Sequence, residues 1–307
     1  MTSVSDSPIF DSSYRGRFAP SPTGPLHFGS LVAAVASYLE AKTHDGEWLV
    51  RMEDLDTPRT VAGAADEILR ALEACGMHWD GAVVRQSARS DAYHAELHRL
   101  RAQGIVYPCA CTRREIADSA LHGIEGPVYP GTCRDGLAAD KLMRAWRIDT
   151  RGVVIDFEDA IQGPLEQELA TDIGDFVLLR ADHVYSYQLA VVVDDAEQGI
   201  TDVVRGADLL DSTPRQIFLQ RRLHLPTPRY CHVPIAVNPA GEKLSKQTRA
   251  LAIDYSNPLA ALMPVLRFLG HQPPSALAKA AVADLWQWAI ANWRIDRVPR
   301  TRSSPSA

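Results

Sequence analysis

YRGRFAPSPTGPLHFGSLVAAVASYLEAKTHDGEWLVRME, residues 14–53, decides the fold. YRGRFA (14–19) reads as a short strand, and SPTGP (21–25) as a turn. A helix is expected from about Leu26, because Phe28, Leu31, Val32, Val35 and Leu39 recur at i, i+3, i+4, i+7 and i+11 as one buried stripe. WLVRME (48–53) is the next strand. Strand, helix and strand at this spacing form a βαβ unit, which requires a parallel sheet. The expected fold class is therefore α/β, a Rossmann-type doubly wound parallel sheet.

Downstream, Thr57-Pro58 offers an N-cap and a first-turn proline for a helix carrying Ile68, Leu69, Leu72 and Cys75. Another helix is expected from about Arg89 to Gln103, with Tyr93, Leu97 and Leu100 on one face. Residues 106–172 change character, with clustered cysteines, glycines and short alternating strands such as RAWRID (144–149) and VVIDFE (153–158). They read as an insertion between the two halves of the sheet. The βα rhythm returns with FVLLR (176–180), SYQLAVVVDD (186–195) and TDVVRG (201–206), then a helix started by Ser212-Thr213-Pro214. After Lys246 only helical patterns follow, from Asn257 to about Arg294. The expected division is a disordered lead at 1–13, the first half of the Rossmann domain at 14–105 and the insertion at 106–172. The second half follows at 173–236, a loop and C-terminal helices at 237–298, and a disordered tail at 299–307.

Composition narrows the class. A 307-residue chain that is 46% hydrophobic has ordinary globular make-up, and a net charge of -6 argues against indiscriminate coating of nucleic acid. Local basic clusters remain, such as Arg221, Arg222 and Arg229. No stretch approaches the ~20 apolar residues of a membrane span, and the Ser/Asp-rich lead has no signal-peptide pattern. Five cysteines, three of them close together, favour a reducing cytoplasm and a metal site over disulfides.

Two strings carry chemistry. The first runs from Arg17 through Phe18, Ala19, Pro20 and Ser21 to His27, Gly29 and Ser30. Its prolines and glycine force a turn between strand and helix, so free N–H groups and the positive dipole end of the helix meet a triphosphate. Gly29 allows close approach to the backbone, and His27 adds a hydrogen bond to phosphate oxygens. The second string is Glu242-Lys243-Leu244-Ser245-Lys246-Gln247, following the turn signal Pro239-Ala-Gly241. Adenylation builds negative charge on the α-phosphoryl oxygens, which a loop lysine stabilises most in the transition state. A third group, Cys109, Cys111 and Cys133, has the makings of a closed tetrahedral zinc site, with Tyr129 or His122 as fourth ligand. The same cysteines also suit a small buried core.

Together the first two strings resemble the HIGH and KMSKS signatures of class I aminoacyl-tRNA synthetases, here written HFGS and KLSKQ. Ser30 stands where the signature has histidine, and Leu244 where it has methionine. RFAPSPTG and RMEDLDTPR narrow the resemblance to the glutamyl group, over about Tyr14 to Asp254. It implies ATP with Mg²⁺ and L-glutamate as ligands. It also implies that Arg17, Phe18, Ala19, Pro20 and Ser21 lie at the amino-acid site. Glu53 then takes the ammonium, and Tyr187 and Arg205 complete the pocket. His27, Gly29, Ser30 and Lys246 belong to ATP, and His27, Lys243 and Lys246 to catalysis. A guanidinium at Arg205 suits a side-chain carboxylate and rejects a neutral amide. The C-x-C…Y-x-x-x-C pattern resembles one branch of the glutamyl enzymes, in which zinc stiffens the insertion.

Too few residues follow Lys246 for a further ~100-residue anticodon-binding domain. A core of this kind resembles the glutamyl-Q tRNA(Asp) synthetases. These activate glutamate without tRNA and esterify it to the queuosine base at the wobble position of tRNA(Asp). The expectation is a monomeric, cytoplasmic ligase acting on queuosine-containing tRNA(Asp). The alternatives are a truncated glutamyl-tRNA synthetase charging the tRNA 3′ end, and a non-catalytic paralogue that binds glutamate or a nucleotide.

Overall fold

In the computed structural model, which describes residues 13–118, 122–238, 241–243 and 252–305, β1 (Arg15–Phe18), α1 (Phe28–Thr43) and β2 (Glu47–Met52) form the expected βαβ unit. β1 and β2 run parallel, Arg17 beside Leu49. Then come α2 (Ala64–Ala74), β3 (Val84–Arg85), parallel to β2, and α3 (Ser90–Ala102). Thr57-Pro58 does not start α2. It forms one isolated 3-10 turn that Thr60 ends in an extended conformation, and α2 starts after Gly63 at φ 79. The carboxylate of Asp56 bonds Arg59 and Arg180 rather than capping that turn.

The insertion contains β4 (Val106–Cys109), α4 (Arg113–Ala117), the hairpin β5 (His122–Gly123) and β6 (Gly126–Pro127), and β7 (Ala145–Ile148). β8 (Val154–Asp159), β9 (Gly163–Glu168), α5 (Leu169–Asp172) and β10 (Val177–Leu179) follow. Two of its expected limits are corrected. β10, within FVLLR, belongs to an antiparallel sheet β10-β7-β4 and not to the parallel one. Buried Asp175 explains this, since its carboxylate accepts hydrogen bonds from Tyr107, Arg134 and Thr150, tying the segment to the insertion. Conversely β8, within the stretch read as inserted, joins the parallel sheet at Asp159, opposite Tyr230.

The second half supplies α6 (Tyr187–Glu197), β11 (Asp202–Gly206), α7 (Thr213–Leu223), β12 (Arg229–Val233) and β13 (Ile235–Val237). β11 and β12 are parallel, and the Thr201 N–H donates to Arg15 O at 2.9 Å, which lays β11 alongside β1. The strand order reverses between β1 and β11, and open α/β sheets hold ligands at such a point. α8 (Pro258–Phe268), α9 (Val282–Asn292) and β14 (Ser303–Pro305) complete the chain. The tail expected to be disordered is a strand at 303–305, because β13 offers it a parallel edge. The expected lead, apart from Ser13, lies outside the described residues.

α1 is buried on nearly every side, with Ala34, Ala36 and Ala41 as withdrawn as the stripe of Leu31, Val35 and Leu39. It lies between β1 and β11 on one side and α8 and α9 on the other, and its alanines permit that close approach. Among the described residues no helix is long and apolar enough to cross a membrane.

Candidate active site

A cavity of about 460 Å³ opens over the ends of β1, β2, β11 and β12, at the point where the strand order reverses. Arg17, Phe18, Ala19, Pro20 and Ser21 line it from β1 and the turn beyond. Glu53 follows β2, Tyr187 starts α6, and Arg205 lies on β11. His27, Gly29, Ser30 and Lys243 line the same space. Every glutamate-site and phosphate-site residue named from the sequence therefore converges here except Lys246, which lies outside the described residues. The flanks of that segment sit at the cavity: Lys243 bridges to Val237, and Ala252 bridges to His27.

The mouth toward α1 is a helix start. His27 is extended and caps α1, its Nδ1 accepting the Ser30 N–H at 3.3 Å while Ser30 Oγ accepts the His27 N–H at 2.8 Å. The first-turn N–H groups thus meet the cavity with the positive end of the helix dipole. Lys243 Nζ pairs with Asp208 at 2.5 Å on the opposite rim.

The floor is a buried charge network. Arg17 donates from Nε and Nη2 to Asp195 Oδ1 and Oδ2 at 3.1 and 3.3 Å. Arg51, wholly buried, donates to Asp195 at 2.7 Å and approaches Glu53 at 3.5 Å. Asp194 receives Gln86, Arg89 and Tyr93. Burial raises Asp195, but Arg17 and Arg51 outweigh it and hold the carboxyl below the usual range. Glu53 is only 10% exposed. Burial pushes it up to about 7, against the pull of Arg51 and Arg17 and with the push of Asp195 and Asp194.

Arg205 is held differently. Its Nε donates to His232 Nε2 at 2.9 Å and its Nη1 to the Tyr187 hydroxyl at 3.2 Å. Its Nη2 donates to Thr213 Oγ1 at 2.8 Å and Leu209 O at 3.4 Å. All four acceptors are neutral: burial drives His232 down to about 4 in spite of Asp159 beside it. A guanidinium has five N–H donors, so one Nη1–H remains beside the Tyr187 hydroxyl, itself able to donate. The arrangement suits one carboxylate accepting from both. An amide there would turn its NH₂ on a donor.

Cys109, Cys111 and Cys133 place their sulfurs within 4.8 Å of one another, 3.6 Å between Cys111 and Cys133. A tetrahedron with ~2.3 Å metal–sulfur bonds has edges of about 3.8 Å. The Tyr129 hydroxyl lies 3.4 Å from Cys109 Sγ and 3.8 Å from Cys111 Sγ, and accepts the Cys133 N–H at 2.9 Å. His122, the other fourth ligand considered, is exposed on the hairpin and outside the group. A second cavity, about 790 Å³, shares Ser21, Glu53 and Tyr187 with the first and reaches Cys111. Arg59, Arg113, Arg114, Arg144, Arg147 and Arg180 line it.

Arg51, Asp194, Asp195, Asp159 and His232 were not singled out from the sequence. Their signal was there: an arginine inside the apolar strand WLVRM, two aspartates ending the apolar run LAVVV, and a histidine inside YCHV. Charge in a stretch that must be buried requires a partner.

Residues 13–277 match the family described as tRNA synthetases class I (E and Q), catalytic domain. The glutamyl-Q tRNA(Asp) synthetase of Dechloromonas aromatica (strain RCB) is 61% identical over 292 residues, 94% of this chain and 97% of that protein. That of Geobacter sulfurreducens is 53% identical over 298 residues, 94% and 95% of the two chains. A glutamate tRNA ligase from Elizabethkingia meningosepticum CCUG26117, crystallised in complex with its amino acid, shares the fold at a TM-score of 0.78. It is 25% identical, and the match covers 96% of this chain and 67% of that one.

Proposed function

This chain belongs to the glutamyl-Q tRNA(Asp) synthetases, within the class I (E and Q) synthetases, and on that premise we propose how its residues divide the reaction. It is a ligase that activates glutamate with ATP and passes it to the queuosine base of tRNA(Asp). The observation that carries the division of labour is one cavity holding a carboxylate, two differently bound guanidiniums and a helix start.

Glu53 takes the substrate ammonium, and the Arg205 Nη1–H with the Tyr187 hydroxyl takes the side-chain carboxylate. Arg17, neutralised by Asp195, shapes the floor with Phe18, Ala19, Pro20 and Ser21. His27, Gly29 and Ser30 receive the phosphates of ATP, which brings Mg²⁺ with it. Lys243, with Lys246 close along the chain, serves the charge that develops on the phosphoryl group. The α-carboxylate oxygen attacks the α-phosphorus, and the bond to pyrophosphate breaks with its electron pair on the leaving group. A hydroxyl of the queuosine cyclopentenediol then attacks the acyl carbon, losing its proton as AMP departs.

The six arginines of the second cavity favour an RNA loop entering beside the first. Tyr129 and the three cysteines fit a zinc ion whose role is to stiffen that wall. Transfer of labelled glutamate onto tRNA(Asp) with queuosine, tRNA(Asp) without it and tRNA(Glu) tests the reading. Labelling of the first alone is expected. Labelling of tRNA(Glu) turns the chain into a short tRNA-charging enzyme.

A further inference from the structure

Arg205 differs from the other two buried arginines near the cavity. Arg17 pairs with Asp195 and Arg51 with Asp195, Asp194 and Glu53, whereas every acceptor of Arg205 is uncharged. The carboxylate behind Arg205 stands one residue further off. His232, directly opposite Arg205 across the β11–β12 pairing, receives the Arg205 Nε–H on Nε2. On its far side His232 Nδ1 meets Asp159 Oδ2 at 2.6 Å, at the end of the adjoining strand β8. Asp159 and His232 are buried to 1% and 0% exposure, and neither has a place in the reaction described above.

The hydrogen bonds decide the tautomer. Asp159 Oδ1 is committed to three backbone N–H groups, of Ile161 at 3.1 Å, Gln162 at 2.9 Å and His232 at 3.2 Å. Only Oδ2 faces the ring, and an ionised carboxylate only accepts, so Nδ1 carries the proton. Nε2 then offers a lone pair, the one thing an arginine Nε–H can use. The aspartate orients the guanidinium through a neutral ring without cancelling its charge.

We propose that Asp159 and His232 are positioning residues for glutamate selection, locking the imidazole tautomer that aims the Arg205 guanidinium and leaves its charge to the substrate carboxylate. This rests on the reading of Arg205 as the carboxylate contact. Asp159→Asn is the sharpest probe. The three backbone donors hold its remaining oxygen, so the new NH₂ faces Nδ1, forces the proton to Nε2 and sets it against the Arg205 Nε–H. His232→Gln keeps the logic, its carbonyl accepting from Arg205 and its NH₂ donating to Asp159. His232→Leu removes it.

ATP–pyrophosphate exchange with the full chain reads the effect. Asp159→Asn and His232→Leu are expected to raise KM for glutamate about tenfold to hundredfold, as for a mismatched buried donor. Their kcat stays within about threefold and KM for ATP is unchanged, because ground-state and transition-state binding fall together. Glutamate over glutamine preference falls with them, and His232→Gln recovers most of the loss. Should His232→Leu fail to fold, Asp159→Asn and nitrogen NMR of the His232 ring remain. The wild-type ring is expected to be protonated at Nδ1, and protonation at Nε2 overturns the proposal. An unchanged glutamate KM in Asp159→Asn also overturns it, provided Arg205→Ala raises that KM. An unchanged KM in Arg205→Ala sinks the reading of Arg205 itself.

Discussion

The floor of the first cavity and the cysteine corner of the insertion are both tight polar clusters, yet they are assembled in opposite ways. The floor draws Arg17 from β1, Arg51 from β2 and Asp194 and Asp195 from α6, and balances cation against anion within the chain. The corner draws Cys109, Cys111, Tyr129 and Cys133 from one short stretch, and all of them converge as electron-pair donors. Folding alone pairs the charges of the floor, leaving the Arg51 Nε 3.7 Å from Asp194 without a hydrogen bond. A corner of three clustered sulfurs and a phenol oxygen has room for a metal ion among its ligands, whereas the floor has no such gap to fill.

The largest effect that tests this contrast is on the metal. Structural zinc sites gain roughly 10–16 kcal/mol from the ion. Elemental analysis is expected to find about one zinc per chain, and a chelator should raise hydrogen exchange in β4, β7 and β10 while the floor keeps its protection. A metal-free chain with that protection intact would erase the difference between the two clusters.

Next comes the floor. Asp195→Ala leaves Arg17 and Arg51 buried with one anion fewer, a loss of about 3–5 kcal/mol in denaturant unfolding. Zinc content should not change. A loss below about 1 kcal/mol would mean that the floor relaxes, and that it is less rigid than the corner.

A smaller effect is on pH. Glu53 titrates near 7 because it is buried, and only its ionised form holds an ammonium. Glutamate KM should therefore rise as pH falls below about 7, approaching tenfold per unit, or about 1.4 kcal/mol. The sign for stability is the reverse of an ordinary salt-bridged carboxylate. With its folded pKa raised, Glu53 favours the folded state at pH below its unfolded value, and that contribution is lost as pH rises through about 7. A glutamate KM that is flat from about pH 8 to about pH 6 would show that Arg51 and Arg17 keep Glu53 ionised.

The smallest effect is at the rim between the two regions. Arg113 lines the second cavity with no carboxylate partner among the described residues. Arg113→Ala should weaken tRNA binding modestly and reduce the salt dependence by about one counterion. An unchanged salt slope would move the RNA path away from this wall.

Legibility followed the distance between partners. The stripe of α1 and the strands on either side were readable, since each depends on neighbours a few residues away, whereas the cap at His27 emerged only in the structure. The start of α2 was misread because a proline marks any first turn, and the residues that ended this one, Thr60 and Gly63, send a weak signal. FVLLR was given to the wrong sheet because a short apolar run says nothing about its pairing, which the Asp175 hydrogen bonds decided. The described site residues that the family resemblance implies converge on one cavity, and the buried charges that the resemblance did not reach, such as Arg51 and Asp195, are legible only as charge within apolar runs.

The sequence by itself determined the α/β class and set three cysteines close together, because periodicity, turn chemistry and ligand spacing are local, while its signature strings pointed to adenylate formation by resemblance. The structure groups Tyr129, and not His122, with those cysteines. Only the tertiary structure decided which arginine is neutralised and which keeps its charge. Arg17 meets Asp195 across 178 positions, and His232 meets Asp159 across 73. Partners so far apart are chosen by strand order, and no local pattern encodes it.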